Sequence, residues 1–125
     1  MITRLYIAST EENPEITLDK EANIFEIKGR SLPENVIDVY LPVFDWFKEY
    51  FKNPLQKTVI SIMLEYYNSS TEKILANLFK LLETNCESGC NIKIEWYYKK
   101  NDFTMQGKGT DLLSIFTIPN EVIPV

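Results

Sequence analysis

The sequence predicts an α/β domain of mixed character: a central sheet of four to five strands, opened by an N-terminal hairpin and packed with three to four helices. Three observations carry that expectation. Apolar runs with strand periodicity alternate with amphipathic segments of helical spacing. Turn formers punctuate them at Gly29, Asn53-Pro54 and Ser88-Gly89. The 125 residues, 45% hydrophobic and 25% charged, are enough for one domain with its own core.

Each element has a local reason. Leu5-Tyr6-Ile7 is a short apolar opening. Glu15–Leu18 and Asn23–Lys28 read as strands whose short polar connection lets them pair as a hairpin. Ser31-Leu32-Pro33-Glu34-Asn35 is a helix-start signal, with Pro33 and Glu34 entering the first turn. The helix runs to about Lys52 on an apolar stripe of Val36, Tyr40, Val43, Phe44, Phe47, Tyr50 and Phe51, with Trp46 off the stripe as an exposed anchor. Pro42 lies inside it and predicts a kink.

Thr58–Leu64 is almost continuously apolar and rich in β-branched residues, which predicts a central strand covered on both faces. The helix after Ser69 turns Ile74, Leu75, Leu78, Leu81 and Leu82 inward and closes at Ser88-Gly89. Asn91–Trp96 alternates as a strand with one wetter face. A polar loop holding Gly107 and Gly109 leads to a short helix around Thr110–Ile115, and Phe116–Pro119 adds an edge strand. Right-handed crossovers would bring Gly29–Asn35, Tyr66–Thr71 and Tyr97–Asp102 to one rim of the sheet, where open sheets bind ligands.

Composition narrows function. The chain has no histidine, the commonest general base and metal ligand. Its net charge of −5 argues against nucleic acid or an anionic membrane as partner. Cys86 and Cys90 have neither zinc-site nor Cys-x-x-Cys spacing and read as free thiols. Met1-Ile2-Thr3-Arg4 opens no signal-peptide pattern, and no run approaches the ~20 apolar residues of a membrane span. The expectation is a cytoplasmic protein without a cofactor or metal, not itself an enzyme, and monomeric when free.

The chemistry-bearing stretch is Tyr66-Tyr67-Asn68-Ser69-Ser70-Thr71-Glu72-Lys73, with three consecutive hydroxyl residues where a strand hands over to a helix. One reading is a helix cap, with Ser69 and Glu72 as a capping box. The other is a regulated phosphoacceptor or an anion nest, since a helix start exposes unpaired N–H groups. Serine catalysis lacks both a histidine and the Gly-x-Ser-x-Gly turn. On the same rim, Arg30 offers a planar fork suited to phosphate, while Glu34 and Asn35 are placed to contact a partner. Of the aromatics at the two strand ends, Trp96 belongs in the core, and Tyr67 and Tyr98 suit partner contact.

Four stretches together resemble a known family: Thr17–Lys28 leading into Gly29–Asn35, then Pro42-Val43-Phe44-Asp45-Trp46, Leu64–Thr71 and Ile94–Tyr98. On these the chain resembles the SiaC family of bacterial regulatory phosphoproteins, whose fold is similar to the STAS domains of anti-sigma-factor antagonists. The resemblance implies a STAS-like single domain over 1–125. It makes Ser69, directly after Asn68, the phosphoacceptor, with Ser70 and Thr71 as alternatives. The partner-binding set becomes Arg30, Ser31, Pro33, Glu34 and Asn35 on one loop, with Tyr67, Asn68, Ser70 and Tyr98 beside it. It also implies a dedicated protein kinase, a PP2C-type phosphatase, and a diguanylate cyclase stimulated by the unphosphorylated form. The alternatives are a constitutive binding or scaffold domain whose Asn68–Thr71 cluster is only a cap, and an enzyme or small-ligand carrier using the rim.

Overall fold

A computed structural model of the chain describes residues 2–125. It contains β1 (Leu5–Ile7), β2 (Glu15–Asp19), β3 (Ile24–Ser31), α1 (Val36–Tyr50), β4 (Thr58–Tyr67), α2 (Ser69–Glu87), β5 (Ile92–Tyr98), α3 (Phe103–Leu113) and β6 (Asn120–Pro124). The six strands form one sheet in sequence order, β1-β2-β3-β4-β5-β6. The first three pair antiparallel, and β3 through β6 run parallel. The class is the expected mixed α/β domain, with one strand more because Leu5–Ile7 pairs with β2.

The monotonic strand order decides where the helices lie. Each of α1, α2 and α3 connects a strand to its parallel neighbour in the same direction across the sheet, and right-handed crossovers then place all three on one face. Strand residues of one parity, among them Ile16, Leu18, Phe25, Ile27, Ile60, Ile62, Leu64, Ile94 and Trp96, join the helices in a single core. The opposite face stays open: Val59 and Ser61 are half-buried, and Met63 and Glu65 are exposed. This corrects the expectation that Thr58–Leu64 is covered on both faces. It also removes the reversal of strand order that creates a binding crevice in doubly wound sheets.

Several boundaries move for identifiable reasons. Gly29, at φ 103°, carries a bulge that lets β3 continue to Ser31 rather than stop at Lys28. The helix start therefore shifts to Asn35, whose side chain caps α1 through the Asp38 N–H, and Pro33 and Glu34 lie outside the helix. Trp46 is buried, not an exposed anchor. Its ring stacks on Tyr50 with centroids 5.1 Å apart, and Nε1 donates to the Thr3 carbonyl at 2.7 Å. Pro42 lies within α1.

The C-terminal third departs furthest. Gly107 and Gly109 are not in a loop; α3 begins at Phe103 with Asp102 capping the Met105 N–H at 3.1 Å. Gly109 faces the Trp96 indole, and a Cβ there would fall 2.5 Å from Nε1 and 2.7 Å from Cγ. Close packing thus outweighs the low helix propensity of glycine at this position. The edge strand is Asn120–Pro124 instead of Phe116–Pro119. The connection before it is pinned by Glu83, which accepts from the Thr117 N–H at 2.7 Å.

Candidate functional site

The bond between β3 and β4 builds the site. Arg30 and Ser31 pair in register with Tyr66 and Tyr67, and the Asn68 N–H continues the ladder onto the Ser31 carbonyl at 3.2 Å. At Asn68 the backbone turns into α2. The Asn68 side-chain oxygen accepts from the Thr71 N–H at 3.0 Å and from the Ser70 hydroxyl at 3.1 Å. The cap is therefore Asn68, not a Ser69–Glu72 box; the Glu72 carboxylate instead accepts from the Tyr67 hydroxyl at 3.2 Å.

These bonds sort the three hydroxyls. Thr71 is fully buried, and its single proton goes to the Ser31 carbonyl at 2.9 Å. The Ser31 hydroxyl, 2.9 Å from Thr71 Oγ1, must then donate to it, and the Tyr40 hydroxyl at 2.8 Å donates to Ser31. Burial pushes Tyr40 up to about 12, so this chain of hydroxyls stays neutral at physiological pH. Thr71 is thus held inside the fold with its hydroxyl fully bonded. Ser70 is half-buried and committed to Asn68. Ser69 is exposed, and among the described residues its hydroxyl has no hydrogen-bond partner. The N–H groups of Ser69 and Ser70 also lack an intrahelical acceptor, as the first residues of any helix do.

The expected contact residues divide in the same way. Arg30, Glu34 and Asn35 are exposed, while Asn68, Ser70 and Tyr98 are half-buried. Ser31 and Pro33 are buried, as is Tyr67. The Tyr67 ring packs edge-on against Trp96 at 6.0 Å, and burial, followed by the Glu72 charge, pushes its hydroxyl above the usual phenol range. All three lie beneath the surface of the rim in this chain, where a contact role expects exposed groups. Strand alternation explains it: Ser31 and Tyr67 share the helix-covered face, which leaves Tyr66 as the rim's exposed ring at 45%.

Around Tyr66 lie two cations. The Arg30 guanidinium carbon is 5.5 Å from its ring centre, and Lys108 Nζ is 5.8 Å from the same ring and 4.5 Å from that of Tyr67. Neither cation has a carboxylate partner among the described residues, unlike Lys28, Lys93 and Lys99 on and beside the open sheet face. Lys108 escaped sequence reasoning because its stretch reads as a glycine-rich loop. Its basic character beside the rim aromatics becomes visible only once α3 forms. The Tyr97–Asp102 segment does join the rim, through a 3.0 Å ion pair of Lys99 with Glu65. It lines a groove of about 290 Å³ with Lys28, Gly29 and Met63, whose bordering lysines are already paired. Among the described residues no group of histidine, cysteine or carboxylate side chains could hold a metal ion, and Cys86 and Cys90 are free. Among the described residues no helix is long and apolar enough to cross a membrane.

Fold and site together define a small α/β domain with a rim of hydroxyl, aromatic and cationic groups. Residues 7–125 match the family model described as SiaC family regulatory phosphoprotein, and the chain belongs to that family. An uncharacterised protein of Pseudomonas aeruginosa strain UCBPP-PA14 is 26% identical over 98 residues, 78% of each chain. The fold matches SiaC of Pseudomonas aeruginosa with a TM-score of 0.89 at 22% identity, covering 99% of this chain and 100% of that one. It matches at 0.91 and 22% identity, over 97% and 99%, a chain from the crystal structure of the diguanylate cyclase SiaD in complex with its activator SiaC.

Proposed function

We propose that the protein is a phosphorylation-switched signalling adaptor whose unmodified form binds and stimulates a diguanylate cyclase. Ser69 is the acceptor, a dedicated protein kinase adds the phosphate, and a PP2C-type phosphatase removes it. The observation that carries the residue is its isolation. Of three adjacent hydroxyls, one is locked in a buried network, one is committed to the helix cap, and Ser69 alone is both exposed and unpartnered among the described residues. The cyclase is supported by family membership and by the activator role of SiaC toward SiaD. In this reading the chain performs no catalysis of its own and acts in the cytoplasm, as a monomer when free.

The switch is local electrostatics. A phosphate brings up to about two negative charges to Ser69. A partner docking over Arg30, Glu34, Asn35 and the half-buried Asn68, Ser70 and Tyr98 would have to desolvate them. Taking such a charge out of water costs several kcal/mol even where a cation pairs with it, which corresponds to orders of magnitude in affinity. The test is calorimetric titration of a diguanylate cyclase from the same organism with the chain unmodified and with phosphoserine at position 69. The reading expects binding of the first and a loss of at least about a hundredfold for the second. Equal affinities would refute it.

A further inference from the structure

We propose that Arg30 and Lys108 form an intramolecular receptor for the phosphate on Ser69, so that modification draws both cations off the tyrosine rings they now cover. The inference rests on Ser69 being the acceptor and deepens that reading by naming what meets the phosphate.

Placement comes first. Both flanks of the Ser69-Ser70 pair are tied to one strand residue: the Asn68 N–H and the Thr71 hydroxyl each bond the Ser31 carbonyl, at 3.2 and 2.9 Å. Arg30 precedes Ser31 on β3 and pairs in register with Tyr66, so its side chain stands on the exposed Tyr66 side of the rim, three residues before Ser69. Lys108 arrives from α3, a separate element, and stands over Tyr67, two residues before Ser69. Two cations from different elements thus meet at Tyr66 and Tyr67, the residues that lead into Asn68 and Ser69.

Their present partners make them available. Each rests on an aromatic face and lacks a carboxylate partner among the described residues. A cation–π contact is a weaker hold than a direct ion pair, for the exposed Arg30 and the half-buried Lys108 alike. A phosphate dianion offers charge-assisted bonds, roughly twice as strong as neutral ones, and matches the planar guanidinium fork. The exchange therefore runs toward the phosphate. Modification then does more than add an anion to the rim. It withdraws two positive charges from the Tyr66 surface and leaves that exposed ring bare.

The experiment uses the full chain with phosphoserine incorporated at position 69 during translation, its second ionisation followed by ³¹P NMR. Other charges face the phosphate too: Lys73 lies one turn along α2, and the Glu72 carboxylate, three residues on, opposes capture. In the unaltered background the ionisation is expected below the value of about 6 for free phosphoserine. Arg30→Gln and Lys108→Gln are each expected to weaken the phosphate as an acid about threefold or more, and together about tenfold. The Tyr66 ring resonances should shift on phosphorylation in the unaltered chain and stay put in the double variant. If neither substitution moves the ionisation, or if only Lys73→Gln does, the receptor is not Arg30 and Lys108 and the inference is overturned. Because the phosphate is installed directly, this result does not depend on cyclase binding. Loss of the switch and loss of the receptor are separately observable.

Discussion

The Thr71 hydroxyl lies 2.9 Å from the Ser31 carbonyl and 2.9 Å from the Ser31 hydroxyl, with both residues fully buried. The first turn of α2 is thereby fastened to the end of β3, and the outermost hydroxyl of the cluster is left as the free one. A residue that looks like a candidate acceptor is in fact the fastening that presents its neighbour.

Replacing Thr71 with valine keeps its shape and removes its hydroxyl, leaving buried Ser31 without an acceptor. The expected cost is about 1–3 kcal/mol in urea denaturation. Phosphorylation at Ser69 should persist in the folded fraction, seen by intact-mass analysis.

Asn68→Ala removes the oxygen that accepts from both the Thr71 N–H and the Ser70 hydroxyl. A loss of about 0.5–2 kcal/mol is expected, with Asn68→Asp retaining most of the cap. Chemical denaturation of the three proteins measures the difference.

Gly109→Ala would push a methyl group into the Trp96 indole, whose Nε1 donates to the Met105 carbonyl at 3.2 Å. The expected cost is about 1–3 kcal/mol, with a change in tryptophan fluorescence as α3 shifts. Gly107, where a Cβ would meet nothing within 4 Å, should accept alanine without loss.

Glu83 tests the C-terminal clip. The Thr117 N–H, and after it Lys80, hold its carboxyl below the usual glutamate range. A group depressed on folding contributes stability that is fully present above its unfolded value and lost as pH falls toward its folded one. Thermal stability should therefore decline below the ordinary glutamate value of 4.5. Glu83→Gln should melt lower at neutral pH and show a shallower acid decline, measured by calorimetry across pH 2–7.

Much of this architecture is legible in the chain because periodicity is local. The hairpin, α1, α2 and the alternating β5 follow from residues a few positions apart. What escapes depends on distant partners. Trp46 reads as exposed until Thr3 and Tyr50 cover it. Gly109 reads as a loop until Trp96 requires a residue without a side chain. The open face of β4 cannot be read from Thr58–Leu64, whose apolar run fits either one covered face or two. Strand order decides it, and strand order is a property of the whole sheet.

The site shows the same division. The hydroxyl cluster and Arg30 stand out in the sequence as residue types. Which hydroxyl is free, and that Tyr66 rather than Tyr67 faces outward, depend on the register of β3 against β4. Lys108 enters the site only through the docking of α3, with no sequence signal linking it to position 69.

The most direct test of the switch is site-resolved mass spectrometry on the protein isolated from its native cells, with phosphatase inhibited during lysis. The account predicts substantial phosphate on Ser69, absent from a Ser69→Ala strain that still makes folded protein. Phosphate confined to Ser70 or Thr71, or none under any growth condition, would contradict it.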